Sequence, residues 1–317
     1  MPQHIIRFAA KMIDLNNSVT AAHMLDWSKI AEAIASATAE SFTIEEHQPV
    51  GGGYINRTYR VVGGDRRYFV KLNDAAKVEM FVAEAEALMA LQATATVRVP
   101  APICWGSADN VTYLVQEYLE LGPSSESSAA LLGKQLAKLH HHTGSHYGWH
   151  RDNTIGTTPQ INLINDNWLH FWREQRLNYQ LRLAAQHGFG GSLQRKGERL
   201  SDSLALVLAD HNPPPTLVHG DLWSGNHATL HDDQPVIFDP ASYYGDRETD
   251  LAMTELFGGY SPRFYAAYRE HFPLDQGYRL RKTLYNLYHI LNHVNLFGGG
   301  YAAQAEHMMD SLLSEVN

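Results

Sequence analysis

The 317-residue chain contains one cysteine, Cys104. It cannot close an internal disulfide or supply the thiolates of a structural zinc site, which points to a reducing, cytoplasmic setting. No stretch is long and apolar enough to span a bilayer, and no run of Lys or Arg occurs. The 25 Lys and Arg face 34 Asp and Glu, a formal charge of −9. Nucleic-acid affinity rests on cationic neutralisation, so this balance disfavours such a partner and suits a small or positively charged ligand. Neither Gly-x-Ser-x-Gly nor His-Glu-x-x-His is present, which removes esterase and zinc-protease chemistry. Internal repeats and low-complexity tracts are also missing. What remains is a composition 44% hydrophobic and 19% charged, that of a globular protein long enough for two domains or one large bilobal unit.

Residues 1–23 carry basic residues but no apolar core or small-residue cleavage site, and read as an extension rather than a secretory signal. Met24 begins the globular part, with Trp27, Ile30, Ala31 and Ile34 at helical spacing. Gln48 to Tyr54 is a glycine-rich turn. Two β-rich runs, Ile55 to Val62 and Tyr68 to Leu72, flank Gly63-Gly64-Asp65 and predict a hairpin. The apolar positions Val78, Phe81, Val82, Ala85, Leu88 and Met89 predict a helix over 75–91, with Asn73 or Asp74 as its cap. Val111 to Leu119 reads as a strand, followed by a Gly/Pro/Ser-rich connector, Gly122 to Ser128. This divides the chain into a β-rich lobe over 24–119 and a mostly helical lobe over 120–317, an α+β architecture. The second lobe has one β-rich island, Leu217 to Asp239, after Pro213-Pro214-Pro215.

That island holds Val218-His219-Gly220-Asp221-Leu222-Trp223-Ser224-Gly225-Asn226 and then Val236-Ile237-Phe238-Asp239. A polar turn over 231–235 makes its two short strands a hairpin, pairing Ala228 near Phe238 and setting Asn226 beside Asp239. One amide oxygen and one carboxylate, with few other protein ligands, suit Mg²⁺, which takes oxygen ligands and keeps waters and substrate phosphates. Asp221, five residues before Asn226, is left to accept a proton from an attacking hydroxyl. The spacing Asp-x4-Asn followed by a strand ending in Asp matches the catalytic loop and metal aspartate of kinases. His-Gly-Asp in place of His-Arg-Asp, and Asp239-Pro240 in place of Asp-Phe-Gly, point away from protein kinases toward small-molecule kinases of the aminoglycoside and choline type.

A kinase needs a phosphate cover and a lysine in its first lobe. Gly51, Gly52 and Gly53 let backbone N–H groups approach a phosphate, and Lys71 is a charge on an otherwise apolar strand. Its acidic partner belongs on the next helix. There Glu84 and Glu86 flank the apolar face equally, each at roughly 100° from its centre, so periodicity leaves both open.

The residues His219 to Asn226, Phe238 to Met253 and Asn292-His293-Val294-Asn295-Leu296-Phe297-Gly298-Gly299-Gly300-Tyr301 together resemble the fructosamine and ketosamine kinases, a likeness covering essentially Met24 to the C-terminus. It implies a bilobal protein-kinase-like fold that transfers the γ-phosphate of ATP, with Mg²⁺, to the third-carbon hydroxyl of a ribulosamine or fructosamine on a protein or amine, in deglycation repair. It further implies Lys71 on the α/β-phosphates paired with Glu84, and the backbone of Glu117 to Leu119 on adenine. Asp221 is then the base, and Asn226 and Asp239 hold Mg²⁺. Asp250 braces the catalytic loop together with His219, although an aspartate in a first helical turn also serves simply to stabilise its helix. Trp223 stacks on the sugar or faces its ammonium, or else packs in the core. Asn292 and His293 line the sugar site, or form a satisfied core pair. The alternatives are an amino-alcohol or aminoglycoside kinase, and a nucleotide-binding module without turnover.

His140-His141-His142, with His146 and His150, resembles a metal cluster, but no carboxylate or thiolate is spaced to complete it. Histidines at a helix C-terminus complement the helix dipole instead. Trp168, Phe171, Trp172 and Tyr179 have helical spacing and read as core.

Overall fold

The computed structural model describes residues 25–51 and 55–316. The extension expected over residues 1–23, and Gly52 and Gly53, lie outside the described residues. Asp26 opens helix α1 (Trp27–Thr38) by accepting the Ser28 N–H, and Ile30, Ala31 and Ile34 form its buried face. That face covers an antiparallel sheet in the order β1 (Glu46–Pro49), β2 (Arg57–Gly63), β3 (Arg66–Asp74), β5 (Val111–Glu117), β4 (Pro102–Ala108). Strand alternation sends Val70 and Leu72 toward α1, and Lys71 with its cross-strand partner Leu114 to the opposite face. There helix α2 (Val78–Ala93) packs Phe81 and Ala85 on Leu114.

The expected hairpin is β2 and β3. Helix α2 starts later than expected, after a 3₁₀ turn over Ala75–Lys77, and neither proposed cap acts. Asn73 Oδ1 accepts the N–H of Asp74, and the Asp74 side chain makes no capping hydrogen bond. Strand β5 ends at Glu117 rather than Leu119. Strands β1 and β4 lie at the two sheet edges, where prolines (Pro49, Pro102) are tolerated and apolar alternation is weak, so neither stands out in the sequence.

Beyond β6 (Leu121–Gly122) the chain is mostly helical: α3 (Glu126–Leu139), α4 (Trp168–Trp172), α5 (Asn178–Gln186), α6 (Ser192–Val207), α7 (Glu248–Leu256), α8 (Pro262–His271), α9 (Tyr278–Phe297) and α10 (Tyr301–Glu315). Short strands lie between them: β7 (Asn153–Ile155) with β8 (Thr158–Gln160), β9 (Thr216–Val218) with β12 (Tyr243–Gly245), and β10 (His227–Leu230) with β11 (Pro235–Ile237). Trp168, Phe171 and Trp172 are buried in the main core, but Tyr179 is half-exposed. A π-helical turn over Arg173–Leu177 adds a residue to that turn and rotates the face that follows, bringing Leu177 and Leu181 inward in its place. The β10–β11 register also differs from expectation. His227 pairs with Ile237 and Ala228 with Val236, not Phe238, because the turn closes tightly through Leu230 N–H on Gln234 O at 2.8 Å. A shift of two residues keeps every side chain on its face, so Asn226 still lies beside the Asp239 segment. Among the described residues no helix is long and apolar enough to cross a membrane.

Candidate active site

Lys71 is buried at the centre of β3, and its Nζ lies 2.5 Å from Glu84 Oε1 on α2 and 2.5 Å from Asp239 Oδ1. Glu84 is the partner the resemblance implied, and the choice that periodicity left open is settled by Glu86 turning outward to His150 at 2.8 Å and Arg151 at 3.0 Å. Gln116 Nε2 fixes Glu84 from the side at 2.9 Å. Burial alone would lower the pKa of the Lys71 ammonium, but the charges of Asp239 and Glu84 outweigh it and raise it. Lys71 is therefore a permanent cation between two carboxyl groups.

The loop bearing Asp221 is held by its backbone. Asp250, near the start of α7, accepts the His219 N–H at 2.7 Å on one oxygen and the Gly220 N–H at 2.8 Å on the other. Gly220 has φ +84°, and a Cβ there would lie 2.2 Å from Ala241 O, so only glycine fits. His219 Nδ1 accepts the Asp221 N–H at 3.2 Å, which leaves Nε2–H to donate to Phe238 O at 3.0 Å. That neutral tautomer agrees with burial, which lowers the His219 pKa. His219 thus ties the loop bearing Asp221 to the strand end bearing Asp239.

Asn226 Nδ2 donates to Asp221 O at 2.8 Å and to Asp221 Oδ2 at 3.2 Å. Its amide nitrogen orients the acid, and its oxygen is left for another ligand. Asp239 adopts φ +57°, a left-handed conformation uncommon outside glycine, and its side chain is about half exposed. Burial, with the nearby charge of Asp239 second, pushes the Asp221 carboxyl up to about 7. A carboxylate poised there suits proton acceptance at neutral pH. The free donors toward the cleft are one amide oxygen and one carboxylate, a hard-oxygen set that fits Mg²⁺.

The remaining expected residues divide. Trp223 is half-buried. Its ring covers Gly225, where a Cβ would lie 2.2 Å from it, and meets Phe257 edge-on at 6.4 Å, while Tyr260 Oη–H holds its carbonyl at 3.1 Å. Asn292 belongs to the core rather than the cleft. It is 3% exposed, its Nδ2 donates to Ile155 O at 3.2 Å and its Oδ1 accepts from Gln180 at 3.4 Å, so no group is free for a sugar. His293 is half-buried. Its Nδ1–H donates to His289 O at 2.7 Å, and Phe257, Phe297 and Tyr301 pack around it at 4.9, 5.3 and 5.0 Å. Gly51 is exposed beside Val50, whose N–H and O both bond Thr58. Glu117 spends its N–H on Ala101 O at 2.8 Å and its carboxylate on Arg98, while Leu119 lies just past the end of β5.

His140 corrects the dipole reading of the histidine run. Buried at the end of α3, it bonds Asp250 Oδ2 through Nε2 at 3.1 Å and the Tyr268 hydroxyl through Nδ1 at 2.8 Å. Three adjacent histidines at a helix end give no hint that the first turns inward. Only the packing of α3 against α7 and α8 places Asp250 and Tyr268 within its reach. His146 and His150 pair separately with Asp166 and Glu86.

A family model described as fructosamine kinase matches residues 26–315. The chain belongs to the fructosamine kinase family. A Synechocystis protein named a ketoamine kinase is 50% identical over 294 residues, covering 90% of this chain and 97% of the relative. The chloroplastic protein-ribulosamine 3-kinase of Arabidopsis thaliana is 40% identical over 267 residues, covering 83% and 81%. The crystal structure of a Haemophilus somnus protein described as a fructosamine-3-kinase superposes with a TM-score of 0.84 at 29% identity, covering 90% of this chain and 97% of that one. The bilobal kinase-like α+β fold implied by the resemblance is therefore the fold of this chain.

Proposed function

We propose that the chain transfers the γ-phosphate of ATP to the third-carbon hydroxyl of a ketosamine, a ribulosamine or fructosamine carried by an amine or a protein lysine, in reducing cytoplasm. The observation that carries this is the convergence of Lys71, Asp221, Asn226 and Asp239 at one site, within a chain matched over residues 26–315 by the fructosamine kinase family model.

In this reading Lys71 holds the α/β-phosphates, with Glu84 keeping the ammonium in place. Gly51, Gly52 and Gly53 cover the phosphates, and the backbone at Glu117 and Leu119 meets adenine. Asn226 Oδ1 and Asp239 would hold Mg²⁺, which supplies charge neutralisation on the transferring phosphoryl group. Asp221 Oδ2, oriented by Asn226 Nδ2, accepts the proton of the attacking hydroxyl, a contribution of about 10² to 10⁴ in rate. Asp250 and His219 preserve the loop geometry. Trp223, half-exposed beside the base, offers its face to the ketosamine. His293 reaches the same aromatic wall through Phe257, and its Nε2 is the acceptor left on that ring.

The deciding experiment incubates the purified protein with ATP, Mg²⁺ and a panel of ribulosamines, fructosamines, aminoglycosides and choline. Ketosamine-dependent ADP release is expected. A preference for aminoglycosides or choline overturns the acceptor assignment, and no turnover on any acceptor favours a nucleotide-binding module.

A further inference from the structure

Between Asp239 and β12 lie only Pro240, Ala241 and Ser242, and their backbone is gripped from two sides. On one side the Ala241 N–H donates to His219 O at 2.9 Å. On the other, side-chain amides of the β7–β8 hairpin take the carbonyls: Gln160 Nε2 donates to Ala241 O at 3.1 Å and Asn153 Nδ2 to Ser242 O at 2.9 Å. These amides are themselves fixed. Asn153 Oδ1 accepts from Gln160 Nε2 at 2.8 Å and from Asn162 Nδ2 at 3.1 Å, and the Tyr288 hydroxyl donates to Gln160 Oε1 at 2.8 Å. Behind them Arg176 donates to Asn162 Oδ1 at 2.8 Å and to Ile161 O at 2.5 Å.

Arg176 is fully buried and has no carboxylate partner among the described residues; the faces of Tyr243 and Phe171 meet its charge at 4.3 and 4.7 Å. It projects from the π-helical turn that rotates this part of the helix inward. The amides of this network and both terminal nitrogens of Arg176 are bonded, while its Nε is buried without a partner; a buried polar network so nearly satisfied is costly to rearrange and favours one arrangement. What this one specifies is the backbone next to Asp239, whose φ of +57° needs its neighbours to maintain it.

We propose that Asn153 and Gln160, oriented by Tyr288 and by Arg176 through Asn162, are positioning residues that hold Asp239 in its metal-binding conformation. The segment after Asp239 is ordered from within the fold and is too short to serve as a loop that a modification must order. This inference rests on the reading of Asp239 as a metal ligand.

Gln160→Met keeps the side-chain length and removes the amide. Calorimetry of Mn²⁺ binding in the presence of a non-hydrolysable ATP analogue gives the metal dissociation constant, and the analogue alone gives the nucleotide constant. Of the three hydrogen bonds this variant loses, only that from Gln160 Nε2 to Ala241 O acts directly on the segment after Asp239, so the expected result is metal binding weakened about three- to tenfold, the size of one buried hydrogen bond, with metal-free analogue binding unchanged. Tyr288→Phe, which frees Gln160 Oε1, shifts the metal constant in the same direction by less. A folded Gln160→Met protein with an unchanged metal constant overturns the proposal. Where Gln160→Met gives no folded protein, Tyr288→Phe is judged by the same criterion. Asp239→Asn separates the two readings: undiminished metal binding there refutes the ligand assignment, whereas a loss there with none in Gln160→Met refutes only the clasp.

Discussion

Lys71 and Asp239, 168 residues apart in sequence, are joined by a hydrogen bond of 2.5 Å from Nζ to Oδ1. One ammonium thereby links the sheet, helix α2 through Glu84, and the strand end that follows the loop bearing Asp221. Removing it leaves two carboxylates facing each other with no cation between them.

Lys71→Met is expected to abolish measurable phosphoryl transfer and to lower unfolding free energy by about 2 kcal/mol, below the range for fully buried pairs because Asp239 is half-exposed. Adding Glu84→Gln removes one of the opposed charges, so the double variant unfolds at a higher urea concentration than Lys71→Met alone. A double variant no more stable than the single one refutes the electrostatic account.

Asp221→Asn keeps the shape of the loop and loses the proton acceptor. Turnover is expected to fall by about 10² to 10⁴ while the nucleotide dissociation constant changes by less than about threefold. Unaltered turnover removes Asp221 from the role of base.

Asp250→Asn replaces an oxygen that accepts from a loop N–H with an amide that repels it. The expected loss is about 1–3 kcal/mol in stability, the range for leaving a buried donor unsatisfied, with activity reduced even well below the melting temperature. Thermal unfolding together with steady-state kinetics at 20 °C checks both. A variant of wild-type stability and rate dismisses the bracing role.

Acid sensitivity follows from three buried histidines. Burial lowers the pKa of His140 and His219 and takes His289 down to about 3. Below about pH 6.5 the unfolded chain takes up protons at these three rings that the folded chain refuses, which outnumber the one proton the folded chain gains at Asp221, so on balance the unfolded state binds more protons and stability declines as pH falls. Urea midpoints are therefore expected to drop between pH 7.5 and 5.5. A midpoint that is level or rises across that window contradicts the buried neutral rings.

The grouping of the candidate site residues was largely legible in the order of residues. The spacing of Asp221, Asn226 and Asp239 is local, within one hairpin, and Lys71 is marked by its apolar neighbours on the strand. Register was less legible, because the polar residues between Leu230 and Pro235 allow more than one turn. Asn292 illustrates the limit more sharply. It stands beside His293 in a distinctive motif, yet its amide is spent on Ile155 and Gln180, partners more than a hundred residues away.

The sequence by itself determined the residue types at the cleft, the β-rich then helical succession, and the choice of Gly220 where no side chain fits. Periodicity left Glu84 and Glu86 open, and the tertiary structure pairs Lys71 with Glu84, as the family resemblance implied; only the tertiary structure turned His140 inward to Asp250 and gathered Asn153, Gln160, Asn162 and Arg176 behind Asp239. The reason is physical. Spacing within one element fixes which side chains share a face, whereas a buried polar group takes its partner from whichever distant segment packs against it.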